Sequence, residues 1–173
     1  MSRRTSLLGA RTDVVSTVVE EGVGWFRTKP VSRELHYLEW TIDGVPLRQV
    51  VAWPEGQVAS EVTPIQNASA DRMYEADYLR AVLGEPVARD WTVMPDGRVP
   101  LLVCSADFDL GCRALTAEVA VDGDRVEWRD LAWQCDDEPL DLAGQGMPII
   151  TVAFERKQYD DVVRPLLAAA VNA

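Results

Sequence analysis

The chain has 173 residues, 47% apolar and 26% charged, and its 28 acidic and 17 basic side chains give a formal net charge of −11. This composition excludes a disordered chain and suits one globular domain, residues 1–173, able to bury roughly 70% of its unfolded surface. The negative field argues against nucleic acid as a partner, because the basic groupings Arg3–Arg4, Arg27 with Lys29 and Arg33, and Arg156–Lys157 are too short to override it.

No segment approaches the roughly 20 apolar residues of a bilayer-spanning helix. The amino-terminal apolar run ends at Leu7–Leu8, short of a secretory signal, so the sequence predicts a cytoplasmic protein with no membrane partner.

From Arg11 to Gly22, Val14, Val15, Val18 and Val19 follow an i, i+1, i+4, i+5 spacing that predicts a helix, with Thr12 or Asp13 as its cap. Aromatic and β-branched residues predict a strand over Leu35–Ile42, and Asp43–Gly44 is a hairpin signal. Val45–Trp53 is expected to return as the partner strand, with Pro46 at its start, and Val58–Ile65 to add another. Ala68–Leu83 is predicted as an amphipathic helix capped by Ser69 and closed by Gly84.

Trp91–Met94 reads as a short strand, turned by Pro95–Asp96–Gly97 into Val99–Cys104. Arg113–Val121 alternates, with Ala114, Thr116, Glu118 and Ala120 on one side and Leu115, Ala117, Val119 and Val121 on the other. Asp122–Gly123–Asp124 turns it into Arg125–Trp133, where Val126, Trp128 and Leu131 are expected to be buried. A loop over Gln134–Pro148 leads to a strand over Ile149–Phe154 and a helix over Glu155–Ala170, which Pro165 is expected to kink or split. The predicted class is α+β: an antiparallel sheet of hairpins and a meander, packed by two or three helices.

Chemistry-bearing residues cluster between Cys104 and Cys112, a loop that also carries Asp107, Asp109 and Gly111. Seven residues separate the two cysteines, unlike the CxxC of zinc ribbons or redox dithiols, and two thiols alone do not complete a tetrahedral site. Cys104, Cys112 and Cys135 make an odd set, so packed thiols rather than metal ligands or disulfides are expected.

His36 is the only histidine and would have to serve any Ser-His or Cys-His mechanism, though a packing role in its strand is the plainer reading. The acidic run Asp136–Asp137–Glu138 with Asp141 offers clustered oxygens to a cation but lacks the alternation of an EF-hand loop. No GxGxxG, GxxxxGK[ST], GxSxG or HExxH occurs, and nothing calls for a cofactor. Of the six tryptophans, Trp128 and Trp133 are an odd number of residues apart on one strand. One of them is therefore expected on the surface as an interface anchor.

The stretch Val99–Cys104, the turn Leu110–Gly111–Cys112, the strand Val126–Leu131 and the segment Phe154–Tyr159 together resemble a group of uncharacterised actinobacterial proteins. That group reads as a strand ending in cysteine, a Cys-Gly-Asp-Leu-Gly-Cys-Gly-like turn, a hairpin with a Val-x-Trp-x-Asp-Phe strand, and a Phe-x-x-x-x-Tyr entry to a helix. The resemblance covers about Leu101–Val163 and implies a shared fold without an assigned activity. This chain departs from it at Asp107, where the group has a middle cysteine, and at Arg113, where the group has glycine.

Charge, size and the missing catalytic motifs lead to a non-enzymatic, acidic protein-binding domain, by analogy an immunity- or antitoxin-like inhibitor of a basic protein partner. The alternative is a small enzyme or ligand- or metal-binding domain with its site near the Cys104–Cys112 loop. The binding candidates are Cys104, Asp107, Asp109, Cys112, Trp128 and Trp133. A third possibility is a module that self-associates through an open sheet edge.

Overall fold

A computed structural model describes residues 5–22, 28–54, 61–65, 72–87, 92–105, 110–146 and 148–172. Its elements are strands β1 (Leu8–Gly22), β2 (Thr28–Ile42) and β3 (Val45–Pro46), helices α1 (Leu47–Val50) and α2 (Arg72–Val82), and strands β4 (Val99–Leu102), β5 (Ala114–Asp122), β6 (Arg125–Gln134) and β7 (Ile150–Glu155). Helix α3 (Arg156–Asn172) follows, and a 3₁₀ turn lies at Ala143–Gln145. The strands form two antiparallel sheets, β1-β2-β3 and β4-β5-β6-β7, so the α+β expectation holds.

The segment expected to be the first helix is a strand. Its valines satisfy a helical face and an extended ribbon equally well, and the choice falls to the pairing partner. β1 matches β2 rung for rung from Leu8↔Ile42 to Gly22↔Thr28. At about 3.3 Å per residue this ribbon is about 50 Å long. Asp43 (φ 52) and Gly44 (φ 80) make the expected tight turn after β2. The expected return strand over Val45–Trp53 stops after two residues. Pro46 offers no N–H to extend the ladder, and the chain coils into α1 at Leu47.

Of the expected strand over Val58–Ile65, the described part 61–65 holds only an isolated bridge from Val62 to Val103 and no strand, and 58–60 lies outside the described residues. The body of the expected helix at 68–83 is α2, while its proposed cap Ser69 lies outside the described residues. Gly84 (φ 70) ends α2 as anticipated: its N–H donates to the Ala81 carbonyl at 2.9 Å, and the Glu85 N–H donates to the Arg80 carbonyl at 2.9 Å. This pair of bonds is the Schellman arrangement. Thr92–Met94 holds a 3₁₀ residue and a bend rather than the expected strand, and Trp91 lies outside the described residues. α3 runs unbroken through Pro165 and is not split.

The core sits between the sheets and helices α2 and α3. Trp40, Trp128, Phe154, Tyr78 and Tyr159 are all fully buried there, with aromatic contacts mostly edge-on. Their polar atoms are satisfied internally: Trp40 Nε1 donates to Tyr78 Oη at 3.1 Å, and Trp128 Nε1 donates to Tyr159 Oη at 2.8 Å. Burial desolvates both tyrosine hydroxyls and raises their pKa values. A smaller cluster of Met94, Val103, Leu110 and Ala114 packs beneath the cysteine loop. Among the described residues no helix is long and apolar enough to cross a membrane.

Candidate functional site

The geometry of the thiol region starts from a β-bulge. β5 and β6 pair regularly from Asp122↔Arg125 to Glu118↔Arg129, slip by one residue, and resume at Thr116↔Ala132. The same slip appears on the other side, where Trp128 pairs with Val152 but Leu131 pairs with Ile150. Asp130 occupies the bulge in the left-handed region at φ 51, a conformation that aspartate tolerates better than most residues. Its N–H is held by Thr151 Oγ1 at 3.1 Å.

Arg98 braces this irregularity from the turn before β4. Its guanidinium donates to the carbonyls of Asp130 and Thr116, and its Nε donates to Thr116 Oγ1 at 2.9 Å. Burial lowers the Arg98 pKa, opposed by the nearby carboxylates of Asp96, Asp130 and Glu118. Gln134 completes the floor: its amide oxygen lies 2.8 Å from the Thr116 hydroxyl, and its Nε2 donates to Asp96 Oδ2 at 3.3 Å.

Above that floor opens a cleft of about 520 Å³ lined by Pro95, Asp96, Gln134, Asp136, Asp137 and Glu138, among others. A second cavity of about 150 Å³ adjoins it, with Arg113, Cys135, Glu138 and Asp141 in its wall. The acidic loop and the thiol loop meet here, the Asp136 N–H donating to the Leu110 carbonyl at 3.2 Å. Asp136, Asp137 and Glu138 are exposed, and none forms an ion pair with a described residue.

The expected binding residues fare unequally. Cys104 and Cys112 are half-buried thiols at the two ends of the loop, and Cys135, also a half-buried thiol, follows β6 in the wall of the smaller cavity. Asp107 and Asp109 lie outside the described residues. Among the described residues no three His, Cys, Asp or Glu side chains converge as metal ligands.

The expectation that Trp128 or Trp133 is exposed is overturned, since both are buried. Their odd spacing assumed an uninterrupted strand. The bulge at Asp130 inserts one residue and turns both rings to the same core. Trp133 packs against Trp53, ring centres 5.0 Å apart, and its Nε1 donates to the Ala52 carbonyl at 3.0 Å.

His36 is exposed on β2. The titratable group that stands out lies three residues further on. Glu39 is fully buried, and among the described residues neither its Oε2 nor the equally buried Tyr37 hydroxyl makes a hydrogen bond of good geometry, although the two groups are close enough to influence each other. Arg48 lies over the Tyr37 ring, 5.7 Å from its centre, with Nε 3.7 Å from Glu39 Oε2. Burial raises the Glu39 pKa, against the opposing influence of the Tyr37 hydroxyl and Arg48. Arg48 also bonds Asp13 at 2.5 Å. Burial pushes the Asp13 pKa up, but the Val14 N–H, Arg11 and Arg48 together bring it below the ordinary value.

The sequence contains one hint of this cluster. Tyr37, Glu39 and Thr41 alternate with Leu38, Trp40 and Ile42, so one charged residue shares a face with residues suited to burial.

No protein-family model matches the chain, and neither the curated proteins nor the solved structures include one with significant similarity to it.

Proposed function

We propose that this chain is a non-enzymatic binding domain that takes a basic protein partner on the acid-lined cleft between the β4 turn and the loop after β6. The observation that carries this reading is the run Asp136–Asp137–Glu138, three exposed carboxylates without a cationic partner among the described residues, set at a cleft whose lining also includes Asp96. The Arg98–Thr116–Gln134 bonding holds that lining on rigid strands, so the carboxylates are offered from an ordered base.

With a net charge of −11 behind them, a cationic surface is steered toward the site and held by exposed charge pairs. A partner that loses its own activity when its cationic surface is covered makes this an immunity- or antitoxin-like inhibitor. Neutralising the three carboxylates and measuring salt-sensitive binding of a lysine- and arginine-rich polypeptide tests the proposal.

A second reading rests on the neighbouring cavity of about 150 Å³, where Arg113 and Cys135 share a wall with Glu138 and Asp141. That cavity suits a small polar ligand beside the thiol loop. Titration of the Cys135 thiol in the presence of candidate ligands separates it from the first, because only an occupied cavity protects that thiol.

A further inference from the structure

Among the described strands β1 is an edge of its sheet, and since Leu7 bonds toward β2 through the Asp43 N–H, its even-numbered positions turn their backbone N–H and C=O groups outward. Leu8 shows this: its N–H donates to Gln158 Oε1 at 3.0 Å and its carbonyl accepts from Gln158 Nε2 at 2.6 Å. The glutamine amide thus closes the edge at Leu8 as a neighbouring strand would. At Val14 the outward N–H bonds only the carboxylate of its own neighbour Asp13 at 2.9 Å, an exposed local contact that a pairing strand replaces. At Ala10, Thr12, Ser16 and Val18 the outward groups meet no partner among the described residues. Between Val14 and Val19 the strand is uncharged, rich in β-branched residues and without proline or glycine, which makes it a ready template for another strand. Val14 and Val18 share one face and are 43% and 61% exposed.

The geometry points to a second copy of this chain as the occupant of this edge, with the two β1 strands pairing antiparallel about a twofold axis at Ser16. The register follows from the sequence. Pairing of outward positions about Ser16 sets Val14 of each copy opposite Val18 of the other, so all four exposed valines are covered at once. It also brings Arg11 to the register position of Glu21, opposite in charge, on both sides of the axis. Sliding the partner by two residues sets Val18 against Ser16 or Thr12 and loses both matches. Such self-complementarity is what a twofold interface requires. The pairing turns two three-stranded sheets into one continuous sheet with no open edge at its centre, and the Gln158 amide stops it short of the core. It uses a surface distinct from the acidic cleft and stands independently of the binding function proposed there.

The test is light scattering coupled to size exclusion on the full chain over a wide concentration range. A dimer of twice 19.2 kDa is expected, reverting to 19.2 kDa on dilution. Val18→Lys is expected to abolish the dimer, because it sets two cations within the valine patch. Val14→Lys serves as a second variant if the first loses its circular-dichroism signature. Val171→Lys, which adds the same charge at a residue 57% exposed near the end of α3, is expected to leave the dimer intact. A wild-type protein monomeric at every concentration overturns the inference. So does a dimer that persists in folded Val18→Lys and Val14→Lys.

Discussion

The indole of Trp128 donates to the hydroxyl of Tyr159, and that hydroxyl donates onward to the Val82 carbonyl at 2.7 Å, so one oxygen ties β6, α3 and the end of α2 together. All of it is buried, and no water can replace a missing link without a cavity. Tyr159→Phe leaves the Trp128 N–H and the Val82 carbonyl unsatisfied, and should cost about 1–3 kcal/mol. The expected result in urea unfolding is a lower midpoint at unchanged slope. An unchanged midpoint would show that the three elements do not depend on this chain of bonds.

Glu39 gives a pH dependence of definite sign. Its folded pKa is raised above the ordinary 4.5, so the folded state holds the proton more tightly than the unfolded one. Its favourable contribution is complete below pH 4.5 and fades as the pH rises through the folded pKa. Within that window the loss is at most about 1.4 kcal/mol per pH unit. Glu39→Gln, which stays neutral, should therefore gain stability relative to wild type as the pH rises above 4.5 through the folded pKa. Urea midpoints for both proteins over rising pH check it, and parallel profiles would count against a raised Glu39 pKa.

Two glycines separate backbone strain from crowding. Gly44 has φ 80 and open space where a side chain would begin, whereas Gly84 has φ 70 and Val121 Cγ2 only 2.8 Å from that point. Gly44→Ala should cost about 1 kcal/mol from the left-handed backbone alone. Gly84→Ala should cost more, since it adds a clash with β5 and disturbs the end of α2. Thermal unfolding of both variants ranks them, and the reverse order would refute this account of the Gly84 contact.

Much of the fold is legible in the sequence because its signals are local. Asp43–Gly44 and Asp122–Gly123 mark hairpins by backbone preference alone, and Gly84 marks a helix end the same way. The sequence misleads where the decision is long-range. The valines of β1 fit either period, and only the 15-residue match to β2 makes them a strand. The parity of Trp128 and Trp133 depends on a bulge at Asp130 that Arg98, 32 residues earlier, helps to hold.

The acidic run at 136–138 is visible as composition. That it faces a cleft with Asp96 depends on the turn before β4 lying beside the end of β6. For Glu39 the alternation with Leu38, Trp40 and Ile42 is only a hint, because its burial comes with α1 at Arg48 and the segment around Thr63, whose hydroxyl bonds the Leu38 carbonyl.

The cleft itself is tested most directly by titrating a lysine- and arginine-rich polypeptide into wild type, into Asp136→Asn/Asp137→Asn/Glu138→Gln, and into a control. The control is Glu34→Gln/Asp122→Asn/Glu155→Gln, which removes the same charge from exposed positions away from the cleft. Binding in wild type and in the control that weakens as salt rises, together with its loss in the cleft variant, is the predicted result. Equal binding by the cleft variant and the control would contradict the assignment of the basic partner to this site.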